Sequence, residues 1–261
     1  ETVPYDKRSG KIWFNGKPVD WNKANIHVLS HGLHYASCVF EGERVYDGEI
    51  FKLKEHTERL FYSAKRMGIK IPFDQSEIND ACKNIVNIQK VQNGYVRPVI
   101  WRGSEMMAVS AQKNKIHVAI ATWEWGSYFD PKLKLNGIKL NISSWRRPNP
   151  NSVPWDTKAA GLYMICTLSK HDAESKGFTD SLMLDHEGNI AEATGANIFF
   201  KNSEGEIHTP TPDSFLDGIT RRTVIDIAKK KGIKVVERKI KPEEMKNFVG
   251  CFLTGTAAEI T

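Results

Sequence analysis

Two side chains that could do covalent and proton-transfer chemistry stand among unusually small neighbours. Lys158 precedes Ala159, Ala160 and Gly161 at the start of a predicted helix, so a flat aromatic cofactor could approach its amine. Glu192 stands in the string NIAEATGAN, and a buried carboxylate needs a partner. A protonated pyridine nitrogen is one such partner; an arginine, or a position at the rim of a site, is the alternative. Lys158 alone is also compatible with a surface lysine, because ammonium groups almost always stay in water.

Two glycine-containing loops could bind a phosphate group. Residues 216–220, LDGIT, open a predicted helix whose N-terminal N–H groups attract anions. Residues 254–257, TGTA, offer a hydroxyl beside backbone amides. Arg59 could turn inward to the same phosphate or extend to solvent. Tyr163 could hydrogen-bond a phenolate-like oxygen or belong to the core, and both loops are also compatible with ordinary glycine turns.

Other kinds of site are not indicated. His31 and His34 have a His-x-x-His spacing, but no third ligand with clear spacing follows, and we expect no metal site. The sequence contains no Gly-x-Gly-x-x-Gly dinucleotide motif and no phosphate loop ending in Gly-Lys-Ser/Thr. Its four cysteines lie far apart in sequence and form no Cys-x-x-Cys pair, which argues against a structural zinc site or a thioredoxin-like redox motif, and we expect a reducing cytoplasm.

Turn residues and apolar repeats predict the elements that must position these side chains. Asn15-Gly16 and Asp47-Gly48 favour tight hairpin turns. Ser76 is the expected N-cap of a helix. In the first half the predicted elements are a hairpin at 11–19, strands at 38–46, 49–53, 95–101 and 116–123, and helices at about 55–67 and 76–92. Alternation places four residues on one face of the strand at 95–101: Tyr95, Arg97, Val99 and Trp101.

The second half repeats the mixture of helices and strands. Its predicted elements are strands at 138–145, 180–185, 190–193, 197–201, 206–209, 234–240 and 251–254, and helices at about 159–176 and 220–231. We therefore expect an α+β chain with two lobes. The expected divisions are a small N-terminal domain at 1–125, a linker at 126–136 and a cofactor-binding domain at 137–261, with the ligand in a cleft.

The charge balance is basic but not strongly clustered. The formal net charge is +6, which would help to collect anionic small molecules. The longest basic run, at 229–231, falls where a helix should end, and cations there are favourable. A solvated face is therefore preferred over a nucleic-acid patch. No apolar run approaches the roughly 20 residues that cross a bilayer, so we expect neither a nucleic acid nor a membrane as a partner.

Nine strings of the sequence together carry a family resemblance. In order they are WFNG, SHGLHYASCVFEGERVY, HTERLFYSAK, YVRP, SSWRRPNPN, TKAAGLY, AEATGANIFF, LDGITRR and LTGTAAEIT. With them the chain closely resembles the fold-type IV aminotransferases that use pyridoxal 5'-phosphate (PLP), and specifically branched-chain-amino-acid aminotransferases of the bacterial type. The resemblance spans nearly the whole chain. It implies a two-lobed fold, with an N-terminal α/β sandwich lobe and a C-terminal pseudo-barrel α/β lobe.

The resemblance also implies a role for each candidate residue. Lys158 matches the catalytic lysine that carries PLP, and Glu192 matches the partner of the pyridine nitrogen. The other cofactor-binding matches are Arg59, Tyr163, Leu216, Ile219, Thr220 and Thr256. The substrate-binding matches are Tyr35 from the neighbouring subunit, Phe40, Gly42, Tyr95, Arg97, Trp125, Tyr128 and Ala257. Leu162 departs from the pattern, because a polar residue is more usual there.

The implied reaction is ping-pong transamination between branched-chain L-amino acids (Leu, Ile, Val) and 2-oxoglutarate, which yields branched 2-oxo acids and L-glutamate in a homodimer. D-Amino-acid aminotransferases, (R)-amine transaminases and aminodeoxychorismate lyases share the same lysine and glutamate, so those two residues do not discriminate. The strings YVRP and FEG favour the branched-chain member. A non-catalytic basic binding protein that retains the fold is the alternative from a different class.

Overall fold

A computed structural model describes residues 3–126 and 136–261. These form two compact units. The first comprises the described residues of Glu1–Gly126 together with Thr157–Gly161, and the second those of Ser127–Asp156 and Leu162–Thr261. Each unit contains one β-sheet with helices; among the described residues the sheet is antiparallel throughout in the first unit and mixed in the second, so the expected α+β class is confirmed. Most of the linker predicted at 126–136 lies outside the described residues, and the domain boundaries remain predictions.

The sheet of the first unit has seven strands. They are β1 (Lys11–Phe14), β2 (Lys17–Asp20), β3 (Cys38–Phe40), β4 (Glu43–Tyr46), β5 (Glu49–Ile50), β6 (Gly94–Arg102) and β7 (Ile116–Glu124). Their order is β2-β1-β7-β6-β4-β5, with β3 also paired to β6. Both predicted hairpin turns are confirmed, because Asn15 and Asp47 adopt positive φ values of 47° and 50°. The strand predicted at 38–46 is interrupted at Glu41-Gly42, between β3 and β4.

The helices of the first unit are α1 (His31–Tyr35), α2 (Leu53–Arg66) and α3 (Gln75–Gln89). α2 and α3 contribute Leu60, Ile78 and Ile85 to a core that also contains Val39 and Val96 of the sheet. The predicted N-cap of α3 is wrong. Asp74, not Ser76, caps the helix, because its side chain accepts a hydrogen bond from the Glu77 amide while Glu77 bonds back to the Asp74 amide.

The sheet of the second unit has eight strands. They are β8 (Leu140–Arg146), β9 (Asp180–Leu184), β10 (Ile190–Ala193), β11 (Asn197–Lys201), β12 (Ile207–Pro210), β13 (Val235–Arg238), β14 (Gly250–Gly255) and β15 (Glu259–Ile260). The order is β13-β12-β11-β10-β9-β8, and β14 pairs with both β11 and β15. The pairs β8–β9 and β12–β13 are parallel. This unit contains α4 (Met164–Ser175) and α5 (Ile219–Lys230).

The helix predicted at about 159–176 begins differently. Ala160–Tyr163 form a 3-10 turn, and the α-helix starts only at Met164. The preceding residue, Ala159, makes an antiparallel bridge with Val39 of β3, so a contact distant in sequence overrides the local helical pattern. Within the described residues no helix combines the length and apolarity that crossing a bilayer requires.

Candidate active site

The backbone of Lys158 is fixed by two elements of the first unit. Its carbonyl accepts a hydrogen bond from the Phe40 amide at 3.2 Å, at the end of β3. Its own amide donates to Ser63 Oγ on α2 at 3.1 Å. Lys158 is therefore tied to both the sheet and a helix, so its side chain projects from an anchored position.

The side chain of Lys158 lies among aromatic and cationic groups. Its Nζ is 4.6 Å from the centre of the Phe40 ring, and Arg97 Cζ is 4.5 Å from the same centre. Arg97 Nη2 donates to Tyr95 Oη at 3.3 Å. The face predicted for β6 thus brings Tyr95 and Arg97 together with Phe40 and the lysine.

The lysine is activated for nucleophilic chemistry. Burial, with the charges of Arg59 and Arg97, lowers the pKa of Lys158 to about 8, although Glu41 opposes the shift. A neutral amine is the reactive form of lysine. A substantial fraction of Lys158 is thus neutral slightly above neutral pH, which suits attack on a carbonyl group.

Glu41 belongs to a buried ion cluster with Arg59 and His56. It is fully buried, and its carboxylate accepts hydrogen bonds from Arg59 Nε at 2.6 Å and Arg59 Nη2 at 3.0 Å. His56 Nδ1 lies 2.7 Å from Glu41 Oε2. Burial opposes ionisation, but the interactions with Arg59 and His56 together outweigh it and hold the pKa of Glu41 well below its usual range. Because burial lowers the pKa of His56, we assign the compensating charge to Arg59.

An aromatic wall adjoins Arg97. The Tyr95 and Trp125 rings meet edge to face with centroids 4.8 Å apart. A Cβ atom at Gly42 would collide with the Tyr95 hydroxyl, so only glycine allows this approach. Tyr35 does not join this group; it is 45% exposed and stacks on His31. Tyr128 lies outside the described residues.

In the second unit Glu192 is placed at the centre of a separate polar group. It lies on β10, is 8% exposed and has Arg147 Nε 3.4 Å from its Oε1. Asn197 Nδ2 donates to its Oε2 at 3.3 Å. The arginine partner considered from the sequence is therefore present. A carboxylate held by a cation and an amide can also stabilise a protonated ring nitrogen.

The two phosphate-loop candidates lie in the same unit as Glu192. Gly218 is the N-cap of the 12-residue helix α5 and makes no side-chain cap hydrogen bond, so the helix N-terminus can receive an anion. Thr254 Oγ1 is buried and has no hydrogen-bond partner among the described residues. A phosphate oxygen would accept a hydrogen bond from this hydroxyl, so the donors present fit a phosphate group. The remaining candidates of this unit are Tyr163, Leu216, Ile219, Thr220, Thr256 and Ala257, of which only Ile219 is fully buried.

Sequence reasoning missed four polar side chains around the candidates: Glu41, His56, Arg147 and Asn197. Each stands within or beside a string that carried the resemblance, but string matching does not reveal a partner. The histidines considered for a metal are otherwise engaged: His31 Nε2 lies 2.9 Å from the Ala108 carbonyl and His34 Nε2 2.8 Å from the Val28 carbonyl.

Known proteins provide an independent comparison. The family profile described as amino-transferase class IV matches residues 38–261. A protein of Rickettsia bellii (strain RML369-C) named probable branched-chain-amino-acid aminotransferase is 44% identical over 249 residues, covering 95% of this chain and 84% of the relative. The branched-chain-amino-acid aminotransferase of Pseudomonas aeruginosa is 42% identical over 258 residues, covering 97% of this chain and 84% of that protein.

Solved structures give the same result. The Escherichia coli branched-chain amino acid aminotransferase has a TM-score of 0.94 and 36% identity, covering 97% of this chain and 85% of that chain. The T.th. branched-chain amino acid aminotransferase with pyridoxamine 5'-phosphate has a TM-score of 0.93 and 38% identity at the same two coverages. Sequence profile, relatives and fold agree, and the chain belongs to the class IV aminotransferase family.

Proposed function

We propose that the chain is a PLP-dependent aminotransferase that exchanges amino groups between branched-chain L-amino acids and 2-oxoglutarate by a ping-pong reaction. The observation that carries the proposal is the amine of Lys158. The backbone of Lys158 is anchored by β3 and α2, while the amine lies near Phe40 and Arg97 and has its pKa lowered to about 8. Such an amine can attach an aldehyde reversibly and then move a proton at a neighbouring carbon.

The donor set of the described residues suits PLP. Bound PLP supplies an aldehyde and a ring that accepts electrons from the substrate carbon. Lys158 would carry the aldehyde carbon and Glu192 would keep the ring nitrogen protonated. The phosphate would take the α5 N-terminus with Ile219 and Thr220, the loop with Thr256, and Arg59. One solved relative contains pyridoxamine 5'-phosphate and another is in a PLP form, which supports this assignment.

Substrate recognition would use the group around Arg97. The aromatic rings of Phe40, Tyr95 and Trp125 offer an apolar wall for a branched side chain, and the guanidinium of Arg97 can bind a carboxylate. Both kinds of surface are needed, because one site must accept leucine in one half of the reaction and glutamate in the other. The names of the relatives support the branched-chain assignment.

A second copy of the chain is the proposed partner. An apolar surface, defined here as Val28, Leu29, Leu33, Tyr35, Met106, Met107 and Val109, is exposed on the first unit. Its two segments adjoin, since His31 bonds to the carbonyls of Gly103 and Ala108. Exposed apolar surface of this kind marks interfaces. We place the homodimer contact here, with Tyr35 serving the partner's substrate site.

The experiment starts with purified protein incubated with PLP and then with borohydride. We expect a yellow protein whose visible absorbance is lost on reduction, with the cofactor mass fixed on the peptide that contains Lys158. Lys158→Ala should abolish the fixation, whereas Lys83→Ala, at an exposed lysine of α3, should not. A protein that stays colourless with PLP would contradict the proposal and favour the non-catalytic alternative.

Substrate class is decided by a second assay of the same protein. Amino transfer to 2-oxoglutarate is compared for L-leucine, D-alanine and an aromatic amino acid. L-Leucine should give the highest kcat/KM. Preference for D-alanine would assign the chain to the D-amino-acid branch of the family instead.

A further inference from the structure

One side chain of the second unit bonds both to the acid at 192 and to the loop that opens α5. Asn197 Nδ2 donates to Glu192 Oε2 at 3.3 Å and to the Leu216 carbonyl at 3.0 Å. Its Oδ1 accepts from the Gly218 amide at 3.1 Å. Asn197 is 4% exposed, so water does not compete well for these bonds. A single amide therefore spans the two places where we assign the ring nitrogen and the phosphate.

The position of Asn197 in the sheet explains why its side chain contacts both Glu192 and the loop that opens α5. Asn197 is the first residue of β11, and its backbone pairs with Glu192 on β10 and with Thr254 on β14. A Cβ atom at Gly218 would collide with Asn197 Oδ1, so the loop approaches as closely as its backbone permits. The side-chain amide of asparagine presents two N–H donors and a carbonyl acceptor on one short side chain, as these three bonds require. An aspartate could accept from Gly218 but could not donate to Leu216 or Glu192.

We propose that Asn197 is a positioning residue that sets the separation between Glu192 and the N-terminus of α5 to suit a rigid phosphorylated pyridine. The proposal rests on the proposed function, because it assigns the two ends of one ligand to these two groups. The separation between the ring nitrogen and the phosphate of such a ligand is nearly fixed. A protein that holds both partners at that separation before binding avoids the cost of ordering them.

A consequence separates positioning from general support. If Asn197 sets the separation, its replacement should reduce the affinity for pyridoxamine 5'-phosphate by more than the combined reductions for pyridoxamine and for inorganic phosphate. Each half, bound alone, can follow its own displaced partner, whereas the linked ligand cannot follow both. If Asn197 only supports the α5 loop, the loss is that of the phosphate half alone. If it only stabilises the fold, binding by the folded protein is unchanged.

The test uses the cofactor-free full chain with pyridoxamine 5'-phosphate, pyridoxamine and inorganic phosphate as separate probes, none of which bonds covalently to Lys158. Dissociation constants are measured by fluorescence and competition. We expect Asn197→Ala to raise the dissociation constant of pyridoxamine 5'-phosphate by about tenfold or more. This factor should exceed the product of the factors by which the dissociation constants of pyridoxamine and inorganic phosphate rise. Asn197→Asp retains the acceptor for the Gly218 amide but loses both donors. It should also raise the dissociation constant of pyridoxamine 5'-phosphate by a larger factor than the product of the factors for the two halves.

Asn202→Ala is the matched control. Asn202 follows β11, and among the described residues its side chain bonds within its own turn, to the amides of Glu204 and Glu206 and to the Glu206 carboxylate. Its replacement should lower the unfolding temperature without changing the affinity for any probe. Should Asn197→Ala not fold, Asn197→Asp decides by the same criterion. The positioning role is overturned if the dissociation constant of pyridoxamine 5'-phosphate rises by a factor equal to the product for the two halves, or by less than about threefold. Failure of the unaltered protein to bind pyridoxamine 5'-phosphate overturns the proposed function itself.

Discussion

At the scale of single residues, the protonation state of Lys158 should control how fast the protein takes up PLP. The lysine is charged below its pKa of about 8 and neutral above it, so the uptake rate should rise with pH and level off above about 8. Glu41 raises the pKa of Lys158 and Arg59 lowers it. Glu41→Gln removes the negative charge and leaves Arg59 uncompensated, and both changes should move the midpoint of the pH profile to lower pH.

Stopped-flow absorbance at a series of pH values measures this profile. Glu55→Gln is the control, because Glu55 is on the same helix as Arg59 but pairs with the partly exposed Lys52. It should leave the midpoint unchanged. An identical midpoint in the unaltered protein and in Glu41→Gln would show that the buried carboxylate does not tune the lysine.

Arg97 should discriminate between the two kinds of substrate. Its guanidinium lies over Phe40 and bonds to Tyr95, where it can meet the distal carboxylate of glutamate. Arg97→Ala should reduce kcat/KM for L-glutamate by about ten- to a hundredfold more than for L-leucine, since a charge-assisted bond contributes about 1.5 to 3 kcal/mol. Arg102, on the same strand, donates instead to the Gly68 carbonyl, so the control Arg102→Ala should affect both substrates alike. Equal losses with Arg97→Ala would remove the assigned role.

At the scale of elements, local chemistry was sufficient for the two hairpin turns, whereas the cap of α3 was misplaced by two residues, at Ser76 instead of Asp74. The Asn15-Gly16 hairpin could be predicted because its dipeptide tolerates positive φ. The start of the helix after Lys158 could not, because Ala159 pairs with Val39 more than a hundred positions away. The candidate site divides in the same way. Strand alternation predicted the shared face of Tyr95 and Arg97, but no local pattern predicts that Asn197 bonds to the Gly218 loop.

The strand β4 carries a buried acid whose effect on stability should depend on pH. Neither carboxyl oxygen of Glu43 has a hydrogen-bond partner among the described residues, and burial beside Glu41 raises its pKa well above 4.5, although Arg59 opposes the shift. The folded state therefore keeps a proton that the unfolded state releases. This stabilisation is complete below about pH 4.5 and is lost as the pH rises toward the folded-state pKa.

Denaturant unfolding between pH 5 and 8 tests this effect. Glu43→Gln cannot ionise, so its free energy of unfolding should rise relative to the unaltered protein with increasing pH, by up to about 1.4 kcal/mol per pH unit. Glu49→Gln, at an exposed position of β5, should show a constant difference. A constant difference for Glu43→Gln as well would mean that Glu43 is ionised in the folded state.

At the scale of the whole molecule, the exposed apolar surface and the position of Tyr35 make a joint prediction about assembly. Tyr35 is exposed as part of this surface and does not join the group around Lys158 in its own chain. If a partner supplies it, each site combines Lys158 of one chain with Tyr35 of the other. Lys158→Ala and Tyr35→Ala homodimers should then both have low activity. A mixed dimer should recover one complete site, because the Lys158→Ala chain lends its tyrosine to the intact lysine of the other chain.

Random exchange makes half of the dimers mixed, each with one working site of two, so the mixture should reach about a quarter of the activity of the unaltered protein. The two variants are unfolded and refolded together, and the activity is compared with that of the variants refolded separately and then combined. If Tyr35 served the site of its own chain, the intact Lys158 of the Tyr35→Ala chain would lack its tyrosine in homodimers and mixed dimers alike. Activity that stays at the mean of the two separate variants would therefore place Tyr35 within its own subunit's site or outside the substrate site altogether.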